Sequence, residues 1–310
     1  MTELKHFDIL AARKAYSEGQ NITELLRRQK QVTGNTPEII EAAYDLQAGT
    51  YIEHVEKHPE QTAAYTAELA ELLDSHISST GSLLDVGTGE LTTLSLVTTK
   101  LTRKPRDIFA FDISWSRVFK GRGYAGRTLG NDYQRLTPFV GDISEIPLPA
   151  KSIDITTSSH ALEPNGGRLK ELLAELFRVT AGKVILFEPC YEINSEEGRQ
   201  RMDRLGYIKD IGGVVEALNG KLVDRITIRN STNPLNPTAC FVIEPPPGDD
   251  SPADHQSGAA PVFSVPGTSQ LLTKVDEFYF SNDTGLSFPV LKSIPVLKSN
   301  AAILASALCY

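Results

Sequence analysis

The sequence predicts an α/β fold, a parallel sheet with helices on both faces, preceded by a helical extension and followed by a small β-rich unit. Two observations carry this. From Leu83 to Glu244, short apolar runs alternate with helical patterns, as when strands are joined by crossover helices. The first run, Ser82-Leu83-Leu84-Asp85-Val86, leads into Gly87-Thr88-Gly89-Glu90, a strand that turns tightly into a helix start. Gly87 and Gly89 carry no Cβ, so a ligand can lie against that backbone.

The elements follow in order. Residues 1–80 read as helices: Asn21 or Thr23 caps a segment carrying Ile22, Leu25 and Leu26, and Thr36-Pro37 places a cap before a first-turn proline. A helical run from Glu41 to Glu56 is interrupted at Gly49, and Gly49 with Tyr51 reads either as an elbow between helices or as a lid over a ligand. Tyr65, Leu69, Leu72 and Leu73 form a buried stripe on a further helix. The strand candidates are Ser82–Val86, Asp107–Asp112, Thr137–Val140, Ile153–Ser158 and Lys183–Phe187, with an amphipathic helix on Leu169, Leu172, Leu173, Leu176 and Phe177 before the last. Lys221–Ile228 and Ala239–Glu244 pair as a hairpin, which brings the strands to seven and closes a domain at 81–244. Residues 245–262, dominated by Pro, Gly, Asp and Ser, read as a linker. Residues 263–310 carry short β runs at Val262–Pro266, Glu277–Ser281, Leu286–Leu291 and Ile294–Leu297.

The totals bound the function. With 310 residues, 40% of them hydrophobic, the chain can bury a sizeable core. A net charge of −8 argues against a nucleic-acid scaffold. Cys190, Cys240 and Cys309 are far apart, which suggests a reducing compartment with no disulfide framework. No run reaches the ~18 apolar residues of a membrane span, and the N-terminal stretch lacks the apolar region of a signal peptide. The expectation is a cytoplasmic protein without a membrane partner, and a homodimer is compatible with it.

Asp85-Val86-Gly87-Thr88-Gly89 resembles the first motif of the class I S-adenosyl-L-methionine (SAM) methyltransferases, an apolar strand followed by D-x-G-x-G. A dinucleotide site would want a third glycine three residues on, where this chain has Thr92, and Glu90 beside the turn disfavours a phosphate. Asp112 closes the next strand 23 residues beyond Gly89, near the ~20-residue offset at which an acid meets ribose hydroxyls. Asp142 follows a third strand, and the resemblance assigns it, with the neighbouring amide, to the adenine edge. The resemblance thus implies a Rossmann-like seven-stranded sheet. It also implies a SAM site, with S-adenosyl-L-homocysteine (SAH) as product, built from Asp85, Gly87, Gly89, Glu90, Asp112, Ile113, Asp142, Ile143 and Ser158. Asp154 matches an acid early in the fourth strand of that family.

The fourth strand ends Ser158-Ser159-His160-Ala161-Leu162-Glu163. Ligands sit at the carboxyl ends of strands in open α/β sheets, which puts Ser158, Ser159 and His160 beside the transferred methyl. His160, which titrates near neutrality, is a candidate general base and Glu163 the second candidate; simple packing or orientation of the ring is the alternative. Methyltransferases of amide or base nitrogens often carry N/D-P-P-Y here, which S-S-H-A does not match. Glu188 and Tyr191, after the fifth strand, are candidates for the acceptor pocket. Arginines on the helix capped by Ser195 read as a basic rim for an acidic or phosphorylated acceptor, or as a solvated face.

The tail string Phe288-Pro289-Val290-Leu291-Lys292-Ser293-Ile294-Pro295-Val296-Leu297 resembles the end of the small Trm112-like zinc-ribbon family, which accompanies methyltransferases. Where that family has cysteine pairs this chain has Val265 and Thr268, then Ser281 and Asp283, so no metal is expected. The leading expectation is methyl transfer to an O or N atom of a small-molecule acceptor, a biosynthetic metabolite or modified sugar. RNA or protein methylation and a non-catalytic SAM-binding regulator are the rivals.

Overall fold

The computed structural model describes residues 8–231, 233–247 and 262–309. Five helices come first: α1 (Ile9–Ser17), α2 (Ile22–Lys30), α3 (Pro37–Leu46), α4 (Thr50–Lys57) and α5 (Pro59–Asp74). The caps are the expected ones. The Asn21 side chain accepts from Glu24 N–H and Thr36 from Ile39 N–H, with Pro37 at the first helical position. The 41–56 run does break, because Gly49 adopts φ +107°, a value that glycine reaches without a Cβ penalty.

The sheet follows: β1 (Ser82–Val86), α6 (Thr92–Lys100), β2 (Asp107–Asp112), α7 (Trp115–Leu129), β3 (Leu136–Val140), β4 (Ile153–Ser159), α8 (Leu169–Val179), β5 (Thr180–Pro189), α9 (Glu196–Leu205), α10 (Ile211–Ala217), β6 (Lys221–Thr227) and β7 (Thr238–Glu244). The strand order is β3-β2-β1-β4-β5-β7-β6. The first five strands run parallel, and β7 lies antiparallel between β5 and β6. This is the seven-stranded Rossmann-like sheet that the resemblance implies. The chain leaves β1 toward β2 on one side and reaches β4 on the other, so a crevice opens where the order reverses. Val86 pairs with both Phe111 and Ser158, which levels the carboxyl ends of β1, β2 and β4 at that crevice.

The inner strands are buried on both faces, and their period of two sorts the core into layers. Leu84, Val86, Phe111, Phe139 and Leu186 pack with α8 through Leu172, Leu173 and Leu176. Leu83, Ala110, Ile155 and Ile185 pack with Leu69 and Leu73 of α5 and Leu94 and Val97 of α6. Asp154 lies at the opposite end of the sheet from the crevice, where its Oδ2 accepts the Ser82 N–H (2.7 Å) and hydroxyl (2.9 Å).

The C-terminal unit is an antiparallel sheet of β8 (Thr273–Val275), β9 (Phe278–Phe280), β10 (Leu286–Leu291), β11 (Ile294–Pro295) and β12 (Ile303–Leu304). The run expected at 262–266 forms only a single bridge, Ser264 to Leu271, because Pro266 and Gly267 turn the chain there. Of the expected linker, residues 248–261 lie outside the described residues. The turn that would hold a first cysteine pair is closed by Thr268, whose N–H (3.0 Å) and hydroxyl (2.9 Å) both donate to the Val265 carbonyl. The unit covers the β3 edge: Val296 bridges Val140 in parallel, and Leu297 N–H donates to the Val140 carbonyl at 2.8 Å. Phe263, fully buried, sets its ring edge-on to Phe139 at 5.1 Å and to Tyr279 at 5.3 Å, joining the two sheets.

Truncating that ring leaves a cavity at the joint. Phe263→Ala is expected to cost about 3–5 kcal/mol in urea denaturation; a loss below about 1 kcal/mol would show that the ring carries no such load.

Candidate functional site

A cleft opens at the crevice. Asp85, Gly87, Gly89, Glu90, Asp112, Ile113, Asp142, Ile143 and His160 all line it. Gly87 (φ +63°) permits a close approach of chain to chain: a Cβ there would meet the Ala161 Cβ at 2.3 Å. Gly89 (φ +57°) lies under Arg117, whose guanidinium a Cβ would meet at 3.1 Å. Leu91 also takes φ +58° and leads into α6, which no side chain caps. A non-glycine residue there is strained, and its fully buried side chain holds it in place.

Asp112 has carboxylate capacity to spare. Its Oδ2 accepts Gly89 N–H and its Oδ1 accepts Ser114 N–H, both at 2.9 Å. An ionised carboxylate offers about four lone-pair sites, so the acid that braces the glycine turn can also receive two hydroxyls. Asp142 Oδ1 accepts Ser144 N–H (2.9 Å) and hydroxyl (2.8 Å), which fixes the loop after β3. Asp85, enclosed at the end of β1, has its carboxyl pushed up to about 7 by burial.

Several expectations need correction. Glu90 lines the cleft, yet its carboxylate is turned away from any ligand. Oε1 accepts Gly49 N–H (2.8 Å), Oε2 accepts Ile52 N–H (2.9 Å), and Arg117 stands 4.0 Å away. Its charge serves the N-terminus of α4. Ser158 does not line the cleft. It is fully buried and its hydroxyl donates to Glu188 Oε1 at 2.8 Å. Strand alternation turns the next residue, Ser159, to the cleft instead.

Glu188 does not line the acceptor side either. Oε1 takes the Ala161 and Leu162 N–H groups at 2.9 and 3.0 Å, while Oε2 has no partner among the described residues. Burial pushes this carboxyl up to about 7. It pins the turn in which His160 holds φ +57°. The imidazole then bridges two elements: Nδ1 lies 2.6 Å from Glu163 Oε2, and Nε2 lies 2.9 Å from Thr238 Oγ1. An ionised carboxylate only accepts, so in the neutral ring Nδ1 carries the proton and Nε2 keeps a lone pair. Burial lowers the affinity of this ring for a second proton, but the Glu163 carboxylate outweighs it and the net direction is upward. Burial raises the Glu163 carboxyl, and its bonds to His160 more than reverse that.

A second cavity adjoins the first. Tyr44, Tyr51, Thr92, Thr93, Ser159 and His160 line both, so the imidazole stands at the junction. Sequence reasoning missed Arg117, which is buried with its guanidinium between the rings of Tyr44 (4.8 Å) and Tyr51 (4.6 Å). A lone arginine on a helix carries no local signal. Thr238 and Asn236 were also missed, since they reach the site only through the β6–β7 hairpin. Tyr191 lies away from both cavities, its hydroxyl 3.2 Å from Asp203. Among the described residues no group of three or more His, Cys, Asp or Glu is arranged to hold a metal ion. No helix among them is long and apolar enough to cross a membrane.

The two raised carboxyls set a pH dependence. In the folded chain Glu188 and Asp85 keep their protons up to about pH 7, whereas unfolded they release them near 4.5 and 3.8. Their contribution to stability is full below those lower values and is lost as pH rises toward 7. Glu188→Gln, which mimics the neutral form, is expected to gain stability relative to the parent between pH 5 and pH 8 in urea titrations. A difference that does not change with pH would contradict the burial of an ionisable Glu188.

No family model matches the chain, and no curated protein does. Among solved structures it is similar to magnesium protoporphyrin IX methyltransferase from Synechocystis PCC 6803 with bound SAH, at 10% identity and TM-score 0.47, over 59% of this chain and 83% of that one. It is similar to geranyl diphosphate C-methyltransferase from Streptomyces coelicolor A3(2) in complex with Mg2+, geranyl diphosphate and SAH, at 12% identity and TM-score 0.45, over 57% and 78%. It is also similar to a chain in the Haloferax volcanii complex of the Trm112 methyltransferase activator, at 16% identity and TM-score 0.45, over 60% and 96%.

Proposed function

We propose that this chain is a SAM-dependent methyltransferase acting on an O or N atom of a small-molecule acceptor. The observation that carries the reading is the set of acids at the ends of three neighbouring strands, Asp85, Asp112 and Asp142, around one glycine turn whose cleft leads to an imidazole paired with a carboxylate. The residues fit such a cofactor. Asp112 would receive the ribose hydroxyls, Asp142 and Ile143 would face the adenine, and Asp85 with the Gly87–Gly89 backbone would hold the methionine end. Bound there, the sulfonium supplies an already activated methyl group.

The chain has to orient the acceptor and remove its proton. His160 sits between the two cavities, and in its neutral form the Nε2 lone pair faces the Thr238 hydroxyl at 2.9 Å. An acceptor hydroxyl replacing Thr238 at Nε2 would pass its proton there, while Glu163 stabilises the resulting imidazolium. Holding acceptor and methyl in line supplies much of the rate, and Tyr44 and Tyr51 would exclude water from the junction. The C-terminal unit, read as Trm112-like without zinc, would act as a fixed brace at the β3 edge.

SAH is expected to bind one to one in calorimetry, and Asp112→Ala should weaken it by about 1–3 kcal/mol, the cost of hydroxyls left without their acceptor; an unchanged affinity would refute the ribose assignment. His160→Ala should lower turnover of a hydroxyl acceptor by about 10²–10⁴-fold with SAH affinity nearly constant. Because the imidazole holds its second proton above the ordinary 6.5, turnover should fall as pH drops through and below neutrality, and a pH-independent rate would remove His160 as base.

A further inference from the structure

The second cavity carries a recognition element that methyl transfer alone does not need. Arg201, on α9, lines it together with His160, Asn236 and Ser231. The Arg201 Nη1 atom is buried and has no hydrogen-bond partner among the described residues. The guanidinium lies 5.5 Å from the centre of the Tyr207 ring. The Glu163 carboxylate, which also lines the cavity, bonds to His160, Asn236 and Tyr207. Asn236 donates through Nδ2 to Glu163 at 3.3 Å, and its buried Oδ1 has no partner. A buried donor of a charged group and a buried amide oxygen, both unsatisfied, each cost about 1–3 kcal/mol or more unless a ligand completes them.

We propose that the acceptor carries an oxyanion, a carboxylate or a phosphate, which Arg201 binds while Asn236 Oδ1 accepts a hydroxyl or amine hydrogen from the same molecule. This rests on the reading of the second cavity as the acceptor side. Guanidinium presents its N–H groups in a fixed fork that matches either oxyanion. Anchored at Arg201, such a molecule would present its reacting atom to His160 across the cavity.

The test uses the full chain and two simple probes, inorganic phosphate and acetate, each replacing chloride at constant ionic strength. The thermal midpoint of the parent is expected to rise saturably by about 2 °C, as for a weak ligand near ten times its dissociation constant. Arg201→Gln should lose nine-tenths of that rise, and Arg201→Lys, which keeps the charge without the fork, should retain part of it. The general salting effect of phosphate is common to parent and variants and cancels in the comparison. A larger response to phosphate assigns a phosphorylated acceptor, and a larger response to acetate assigns a carboxylic acid. An equal rise in parent and Arg201→Gln, or no rise in the parent, overturns the proposal. With any acceptor that is turned over, Arg201→Gln should raise KM at least tenfold and change kcat less than threefold. SAH affinity is read separately by calorimetry. Loss of SAH binding in the parent would sink the cofactor reading and leave the anion response to be judged by itself.

Discussion

The Glu90 carboxylate is the constraint on which the site depends. A buried ionised group is costly unless hydrogen bonds and opposite charge surround it. Here the side chain has no solvent exposure, and its oxygens take the amides of Gly49 and Ile52 beside the Arg117 guanidinium. Those amides are the free N–H groups at the start of α4, which carry partial positive charge and need acceptors. One carboxylate thereby joins the glycine turn to the helical extension and brings Tyr44 and Tyr51 over the cleft. Asp45 adds a second latch, its Oδ1 accepting the Ser114 hydroxyl at 2.9 Å. Lys298 of the C-terminal unit adds a third, with Nζ 2.8 Å from Glu41 and 3.4 Å from the Ile113 carbonyl. Extension, sheet and tail all meet at the end of β2.

The imidazole at the junction is arranged by a different carboxylate. Glu188 fixes the backbone of Ala161 and Leu162, and so holds His160 in a conformation that non-glycine residues avoid. Glu163 and Thr238 then determine the ring's orientation and tautomer. The acids therefore divide into those spent on architecture, Glu90, Asp154 and Glu188, and those with capacity left at the cleft, Asp85, Asp112 and Asp142. This division says more about chemistry than the number of acids does.

Much of the fold was legible because its signals are local. Apolar runs, caps at Asn21, Thr36 and Ser195, and the glycine turn fix elements from within a few residues. Asp112 and Asp142 were legible for the same reason, as acids closing strands in a recurring pattern. The errors came from partners distant in sequence. Nothing near Glu90 tells that Gly49, 41 residues away, supplies its donors. Nothing near Glu188 foretells that its carboxylate serves the 161–162 backbone. The exchange of Ser158 for Ser159 was avoidable, because strand alternation turns neighbouring side chains to opposite sides. The seating of the tail on β3 was not readable, since two bridging residues, Val140 and Val296, carry no pattern of their own.

The central claim is that a cofactor with ribose, adenine and a methionine end lies along the carboxyl ends of β1, β2 and β3, with its sulfur toward His160. A crystal structure of the chain soaked with SAH tests this most directly. The account predicts ribose hydroxyls on Asp112, the adenine beside Ile113 and Ile143, and the thioether facing the space between His160 and Ser159. SAH absent at millimolar concentration, or seated with its ribose away from Asp112, would contradict it.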